Sequence, residues 1–148
     1  MCIIDIKILD KRLSASSLKY YTEGSCGLDL KAMVSKKIKI CSNQVILLPS
    51  GIAVFIKNPL ITAMIVPRSG LGHHHGIILG NTIGIIDADY QGQLMISIWN
   101  RGLKDFYIYP GDRIAQLIFV PIVKPIFNIV SDFIPTIRNT NGFGHSGI

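Results

Sequence analysis

The apolar residues of this chain fall into short runs separated by glycine, proline and asparagine, and this spacing restricts the possible folds more than any other feature. The runs are rich in Ile, Val, Phe and Tyr, which favour strands, whereas Ala is sparse and Glu occurs once, at Glu23. Many short strands with turns between them are typical of a sandwich, barrel or jelly roll. Strands are predicted at residues 38–40, 45–48, 52–56, 61–66, 94–99, 106–109 and 114–120. We therefore predict an all-β fold, a jelly-roll-like barrel or sandwich.

One short helix is predicted after Ser69, running toward Gly76 and limited in length by its glycines. A turn is predicted at residues 49–51, where Pro, Ser and Gly follow one another. Residues 106–109 are aromatic or β-branched at every position, so the sequence leaves the buried face of that strand open.

The 148 residues suffice for one domain with its own core. Neither an internal repeat nor a linker divides them, so we predict a single domain over residues 1–148, with residues 136–148 as a flexible C-terminal flap. No apolar run is long enough to span a bilayer, and residues 1–7 lack the layout of a signal peptide. We expect a cytoplasmic protein without a membrane partner.

The formal net charge of +6 suits anionic partners, and several lysines lie at residues 31–39. No stretch of the sequence interleaves basic with aromatic residues as a single-strand platform does, so we expect no specific nucleic-acid partner. Codon drift in an AT-rich genome, which enriches Ile, Lys and Asn, would account for part of the charge without any function.

Two features resemble metal sites without the pattern that such sites need. The histidines at 73–75 are adjacent in sequence, so their side chains point in different directions, and a solvated surface turn is the preferred interpretation. The 3 cysteines form no Cys-x-x-Cys pair. We expect neither a disulfide framework nor a direct protein ligand to a metal.

Two stretches carry an arginine or an acid in a setting that suits an anion. Arg68 and Ser69 follow a buried-looking strand and open the predicted helix, which is a favourable anion site, although a capping Ser beside a surface Arg is the alternative. Asp29 lies between two leucines. A buried acid needs a cation or a donor, and Arg68 or Arg113 could supply it.

Residues 81–92 contain the densest set of functional groups. Apolar residues lead into Asp87, turn residues follow, and another strand begins, which predicts a β-hairpin with an acid near its tip. Partial burial of Asp87 would favour its acting as a base, and Tyr90 could cover a flat sugar or ring. The alternative is an ordinary turn capped by two aspartates. Gln116, inside an apolar run, would bind either the main chain or a ligand.

The C-terminal residues 142–147 read Gly-Phe-Gly-His-Ser-Gly. Their glycines leave the backbone free to wrap an anion, Ser and His add donors, and Phe143 could stack on a flat ligand. Capture of a nucleotide by a flap is the functional interpretation, and a frayed polar terminus is the alternative.

Taken in order, these stretches resemble the five motifs of the trimeric dUTP pyrophosphatases (dUTPases) of the bacterial type, and the resemblance covers nearly the whole chain. The matching stretches are 26–30, 67–72, 84–92, 111–116, and Arg138 with 142–147. The resemblance implies a jelly-roll fold and the hydrolysis of dUTP to dUMP and pyrophosphate, which keeps uracil out of DNA and supplies dUMP for thymidylate synthesis.

The family mechanism makes Asp87 the general base for a water that attacks the α-phosphorus in line. Mg²⁺, held by the substrate phosphates and water, neutralises charge on the triphosphate. The resemblance also implies a homotrimer with composite active sites, in which the tail crosses to a neighbouring subunit.

The remaining implied roles divide by the part of dUTP that each group contacts. The residues implied to contact the phosphates are Arg68, Ser69, Gly70, Gln116, Arg138, His145 and Ser146. The residues implied to contact uracil are Asn81, Gly84, Ile85, Ile86 and Phe143. The residues implied to contact the deoxyribose are Tyr90 and Met95. Gly144 belongs to the closing tail, and Asp29 would order a phosphate-binding arginine or a metal-bound water.

Three positions depart from the family pattern. Asn139 and Asn141 stand where glycine is common, and Cys26 stands where alanine is common. Asn tolerates left-handed backbone better than most residues, so the tail is expected to close, but more weakly or slowly.

Two other functions remain open at this point. The related dCTP deaminases would release ammonia rather than pyrophosphate. A non-catalytic module of the same fold would hold dUTP without turnover, although the presence of Asp87 favours an enzyme.

Overall fold

The computed structural model describes residues 3–143, and within them the chain forms ten strands, one α-helix and one 3-10 turn at Ala15–Ser17. The strands are β1 (Asp5–Ile8), β2 (Leu28–Lys31), β3 (Ile38–Ile40), β4 (Val45–Phe55), β5 (Ile61–Pro67), β6 (Ile77–Leu79), β7 (Gly84–Ile86), β8 (Gln93–Asn100), β9 (Phe106–Ile108) and β10 (Arg113–Pro121). The helix is α1 (Ser69–His75). No helix among the described residues is long and apolar enough to cross a membrane.

Two four-stranded sheets and a two-stranded ribbon make up the fold. The sheets have the strand orders β1-β4-β8-β6 and β2-β10-β5-β7, and β3 pairs with β9. The strands alternate, so that Leu48 and Ile96 of the first sheet and Ile65 and Leu117 of the second point into one shared core. The prediction of an all-β, jelly-roll-like fold is confirmed, with open sheets rather than a closed barrel.

Residues 45–48 and 52–56 were predicted as two strands with a turn between them, and this was wrong. Residues 45–55 form the single strand β4, and residues 49–51 form an irregularity at which the register against β8 shifts. Gly51 has φ +75°, and a Cβ there would lie 2.8 Å from Met33 Cγ. Pro and Gly suit a bulge as well as a turn, because a bulge also tolerates a missing N–H and a left-handed residue.

The predicted helix is confirmed as α1. It ends at Gly76, which takes the left-handed conformation that commonly terminates helices, and the Gly76 N–H donates to the Gly72 carbonyl. The three histidines at 73–75 are exposed in its last turn, so they belong to the helix rather than to a surface turn.

Residues 122–143, called the C-terminal arm below, form neither helix nor strand. The arm is exposed along nearly its whole length in the single chain, although it is rich in large apolar side chains. The exposed members are Val123, Ile126, Phe127, Ile129, Val130, Phe133, Ile134, Ile137 and Phe143. The division of the chain into one domain and a flap from residue 136 stays a prediction.

Candidate active site

Asp29, Arg68 and Arg113 form an ion-pair cluster at one end of the second sheet. Arg68 Nε donates to Asp29 Oδ1 at 3.1 Å, and Arg113 Nη1 donates to Asp29 Oδ2 at 3.1 Å. Arg68 Nη1 also donates to the Arg113 carbonyl at 3.3 Å. The sequence offered either arginine as the partner of Asp29, and in the structure one carboxylate holds both.

Gln116 lies beside this Asp29–arginine cluster because of strand register. It is the ladder partner of Asp29 on β2 and of Val66 on β5, so its side chain is on the same half-buried face as the Asp29 carboxylate. A Cβ at Gly27 would lie 3.2 Å from Gln116 Cβ and 3.4 Å from its Cδ. Glycine at position 27 therefore leaves room for the Gln116 side chain.

A cleft of about 290 Å³ opens beside the two arginines. Leu71 of α1 and Phe106 of β9 form part of its wall together with Arg68 and Arg113. Ser69 is exposed at the start of α1, next in sequence to Arg68. The Asp112 carboxylate also lines the cleft and accepts a hydrogen bond from the Tyr109 N–H at 2.8 Å. The cleft thus combines two oriented cations and one acid with an apolar wall, and the two cations suit an anionic ligand. Leu71 lies in the matching stretch 67–72 but was given no role. Sequence reasoning missed Phe106, because no local pattern links it to the arginines.

Residues 81–92, called the Asp87 segment below, do not form the predicted β-hairpin. Strand β7 within this segment pairs with β5, whereas β8, which follows it, pairs with β4 and β6 in the other sheet. The segment therefore crosses between sheets. The hairpin prediction was wrong because β7 completes the edge of the second sheet, and this partner is remote in sequence.

Close packing fixes the conformation of the Asp87 segment. A Cβ at Gly84 would lie 3.3 Å from Ile65 Cβ and 3.5 Å from Asn81 Nδ2, so the Asn81 amide packs against the Gly84 backbone. The Tyr90 hydroxyl donates to the Gln93 carbonyl at 3.1 Å. The Tyr90 ring covers Gly92, where a Cβ would lie 2.6 Å from Tyr90 Cζ.

Asp87 is exposed in the single chain, which corrects the expectation of partial burial. It lines a cleft of about 540 Å³ together with Thr62, Lys57 and Lys124. Because the two lysines come from separate segments, sequence spacing gave no signal of them. Met95 is exposed on β8, on the outer face of the first sheet, opposite Pro49.

Asp87 and the Asp29–arginine cluster lie at opposite ends of β5. Ile86 is the ladder partner of Ala63, whereas Arg68 follows the last residue of the strand. At about 3.4 Å per residue, Asp87 and Arg68 are separated by roughly 20 Å along β5. One copy of the chain therefore does not bring these two predicted site residues together.

The tail residues that the structure describes are exposed. Arg138 Nε donates to the Asn141 carbonyl at 3.1 Å, and Phe143 contributes its ring to the surface. Asn139 has φ 47°, the left-handed conformation that its replacement of glycine was expected to tolerate. Gly144, His145 and Ser146 lie outside the described residues.

Within residues 3–143, no three His, Cys, Asp or Glu side chains converge as a metal-binding group. The rings of His73 and His74 meet edge to face with centroids 4.9 Å apart, and the His75 ring packs 5.2 Å from that of Phe106.

Comparison with known proteins gives a consistent match. A family model described as dUTPase matches residues 14–147. The chain is 58% identical over 149 residues to the deoxyuridine 5′-triphosphate nucleotidohydrolase of Buchnera aphidicola subsp. Schizaphis graminum, a match that covers 98% of this chain and 94% of the relative. It is 54% identical over 146 residues to the enzyme of that name from Escherichia coli (strain K12 / DH10B), covering 97% of each.

Two solved structures share the fold. The dUTPase of Staphylococcus bacteriophage 80alpha with dUpNHpp has a TM-score of 0.84 at 24% identity and covers 99% of both chains. A mutant dUTPase from phage phi11 of S. aureus, in which a structural Mg(II) ion is coordinated, has a TM-score of 0.78 at 20% identity and covers 88% of this chain and 98% of that one.

Proposed function

The chain belongs to the dUTPase family, and from this premise we propose how its residues share the hydrolysis of dUTP to dUMP and pyrophosphate. The observation that carries the proposal is the Asp29 carboxylate, which holds Arg68 and Arg113 at 3.1 Å each beside a cleft. The proposal assigns the phosphates to this cluster and the nucleoside to the Asp87 segment.

The Asp29–arginine cluster binds phosphate through groups that are oriented before the substrate arrives. Asp29 fixes Arg68 and offsets part of the repulsion between the two guanidinium groups, so little reorganisation is needed when charge develops on the phosphates. Ser69 and the Gly70 backbone add donors at the start of α1, and Gln116 reaches the α-phosphate from the neighbouring ladder position.

Asp87 is the general base. Its carboxylate takes a proton from a water molecule, whose oxygen forms a bond to the α-phosphorus as the bond to the bridging oxygen of the β-phosphate breaks, and pyrophosphate leaves. Exposure of Asp87 in the single chain supports access for that water.

The Asp87 segment selects uracil and deoxyribose. Among the described residues β7 pairs only with β5, so the unpaired side of β7 can offer backbone N–H and C=O groups to the uracil base. The Asn81 side-chain amide adds further hydrogen-bonding groups for uracil. Cytosine would leave buried donors unpaired, which such sites reject strongly. The Tyr90 ring, fixed over Gly92, packs on deoxyribose and excludes a 2′-hydroxyl, with Met95 lining the same pocket.

The site is composite, in a homotrimer. The roughly 20 Å between Asp87 and Arg68 along β5 supports their contribution by different copies. The exposed apolar side chains of the C-terminal arm support its packing on a neighbour, since such a surface is rarely left in water. The arm would carry Arg138, Phe143, Gly144, His145 and Ser146 to that neighbour's site.

Magnesium fits this arrangement without a protein cage. Mg²⁺ commonly binds substrate phosphates and retains several waters, so the triphosphate itself can hold the ion. The phage phi11 relative coordinates a structural Mg(II) ion, so a dUTPase of this fold binds the metal. When bound to the triphosphate, the ion supplies neutralisation of charge on its oxygens.

Pyrophosphate release in the presence of Mg²⁺, compared among dUTP, dCTP, dTTP and UTP, tests the proposed selectivity. We expect release from dUTP alone, because the site reads both the base edge and the absence of a 2′-hydroxyl. Comparable release from UTP would contradict the role of Tyr90, and ammonia release from dCTP would indicate a deaminase instead.

A further inference from the structure

Lysines and tyrosines that are remote in sequence share one face of the ribbon formed by β3 and β9. In the antiparallel register Lys39 is opposite Tyr107. Lys37 and Tyr109 each lie one residue beyond the end of a strand. Lys37 Nζ lies within 5.2 Å of the ring centroids of both Tyr107 and Tyr109, so these side chains share one side. These four residues are called the Lys–Tyr face below. Separate basic and aromatic stretches of the sequence thus become one surface that neither stretch shows alone.

The core fixes which side of the ribbon faces water. Ile40 and Ile108 are fully buried, and a register slip of one residue would expose them and bury the lysines. The open question of which face of residues 106–109 is buried is thereby answered, since Tyr107 and Tyr109 alternate with the buried isoleucine. Burial of the two isoleucines therefore keeps the Lys–Tyr face on the solvent side of the ribbon.

Both rings of the Lys–Tyr face are partly accessible to solvent. Tyr107 and Tyr109 are 42% and 50% exposed, and their positions on the strand are about 7 Å apart. Lys37 Nζ lies 4.0 Å from the Tyr107 ring centroid and 5.2 Å from that of Tyr109. Lys39 pairs with Asp105 at 2.7 Å, and this hydrogen bond raises the pKa of Lys39. Lys37 therefore lies over one face of the Tyr107 ring, whereas the charge of Lys39 is balanced by Asp105.

We propose that the Lys–Tyr face binds single-stranded nucleic acid without regard to sequence. Exposed aromatic rings on a sheet stack unpaired bases, and neighbouring lysines neutralise the phosphates. The net charge of +6 favours a polyanion. A duplex is not expected to compete, because its bases are already stacked on one another and cannot reach the rings.

The Lys–Tyr face is separate from the candidate active site. Phe106, on the same strand, contributes its ring to the cleft beside Arg68 and Arg113, whereas the neighbouring Tyr107 points to the opposite side of the ribbon. A nucleotide in the active site and a single strand on the ribbon can therefore be bound at the same time.

Fluorescence anisotropy with labelled oligodeoxyadenylate and oligoadenylate of about 15 nucleotides tests the proposal, since adenine is not the base that the enzyme site reads. We expect binding of the single strands, no comparable binding of a duplex of the same length, and no displacement by saturating dUpNHpp. Equal affinity for the two strands would define a general single-strand platform, and a preference would assign the preferred polymer as the ligand. The logarithm of the association constant should fall with that of salt concentration by about 0.7 per neutralised phosphate.

Replacement of both rings, Tyr107→Thr with Tyr109→Thr, should weaken binding by at least about fivefold per ring while the β-branched residues retain the strand. Lys37→Gln should weaken binding and reduce the salt slope by about 0.7. The matched controls are Tyr21→Thr, an exposed tyrosine elsewhere, and Lys7→Gln on β1, and both should bind as the parent does. Hydrolysis of dUTP and thermal unfolding report whether each variant is folded.

Three results would overturn the proposal. The first is that the parent chain binds no single strand, and the second is that dUpNHpp displaces the bound strand. The third is that the double tyrosine variant binds as tightly as the parent. The last result, or an equal loss in Lys7→Gln, would mean that net charge alone attracts nucleic acid.

Discussion

Asp29 connects two parts of the candidate site that are remote in sequence. Its two carboxylate oxygens each accept one hydrogen bond, from Arg68 after β5 and from Arg113 at the start of β10. The need of a half-buried acid for a cation was predictable from the flanking leucines. Which arginine would meet it was not, because that choice depends on how β2 and β5 both pair with β10. The exposure of Asp87 was mispredicted for the same reason, since burial depends on what covers a residue in space.

Asp87→Asn should lower the turnover of dUTP by about 10²- to 10⁴-fold, the usual contribution of a general base, and leave the affinity for dUTP nearly unchanged. Single-turnover kinetics with a separate binding measurement separates the two effects. Asp89→Asn, an exposed aspartate two residues along, is the matched control and should keep turnover near that of the parent. Retained turnover in Asp87→Asn would disprove the assignment of the base.

Asp10 gives the stability of the chain a specific dependence on acid. Hydrogen bonds from the Arg12 side chain and backbone lower the pKa of Asp10 from 3.8 to about 2. Arg12 also donates to the Met33 and Val34 carbonyls, so the pair ties the N-terminal segment to the core. A lowered pKa in the folded state means that the stabilisation is present above pH 3.8 and is lost as pH falls toward 2.

Asp10→Asn should therefore melt at a lower temperature than the parent near about pH 6, and the difference should shrink as the pH is lowered to about 2. Thermal unfolding followed across this range at fixed protein concentration measures the difference. A difference in melting temperature that does not change with pH would show that the Asp10–Arg12 ion pair makes no pH-dependent contribution to stability.

At the scale of elements, local patterns predicted which residues form strands better than they predicted how the strands pair. Strand β3 and helix α1 fall where the sequence places them. The division of β4 and the hairpin in the Asp87 segment were wrong, because a Pro-Ser-Gly sequence fits a bulge as well as a turn and because β7 takes β5 as its partner. Strand partners are chosen by the whole core, and local residues carry little of that information.

Alanine substitutions at Gly76 and Gly111 distinguish the cost of backbone strain from the cost of steric crowding. Both have positive φ, +69° and +86°, but a Cβ at Gly76 would lie 2.8 Å from the Gly102 backbone nitrogen, whereas a Cβ at Gly111 meets nothing within 4 Å. Gly111→Ala should cost about 1 kcal/mol of the free energy of unfolding from strain alone. Gly76→Ala should cost about 3 kcal/mol, because α1 or the loop at Gly102 must also move.

Urea unfolding at one protein concentration measures both alanine variants. Equal losses would contradict the view that the close approach of Gly102 makes glycine necessary at position 76.

At the scale of the whole molecule, the C-terminal arm is the main feature that a single chain leaves without a packing partner. Its apolar side chains are exposed, yet they follow β10, whose residues pack in the core. A homotrimer in which each arm lies on a neighbour would cover them. The sequence alone pointed to a C-terminal tail, residues 136–148, without a core of its own. The surface on which the arm would pack requires a second copy, which no single-chain pattern can show.

Truncation after Thr140 should leave the fold intact, because the removed residues that the structure describes, 141–143, are exposed. Activity should fall by about 10²-fold or more, since the tail would supply donors to the phosphates and the ring of Phe143. Truncation after Gly147, which removes Ile148 and keeps the whole motif, is the control and should stay active. Full activity without residues 141–148 would contradict the role of the tail in closing the site.

Complementation between two inactive variants tests the composite site most directly. Asp87→Asn and Arg68→Ala are prepared separately, mixed in equal amounts, unfolded and refolded together, and assayed for pyrophosphate release from dUTP. If each site takes Asp87 from one copy and Arg68 from another, every mixed trimer contains one intact site, and random assembly should restore about a quarter of the parent activity. If one chain supplies both residues, every site keeps one lesion, and activity no higher than that of the separate variants would contradict the account.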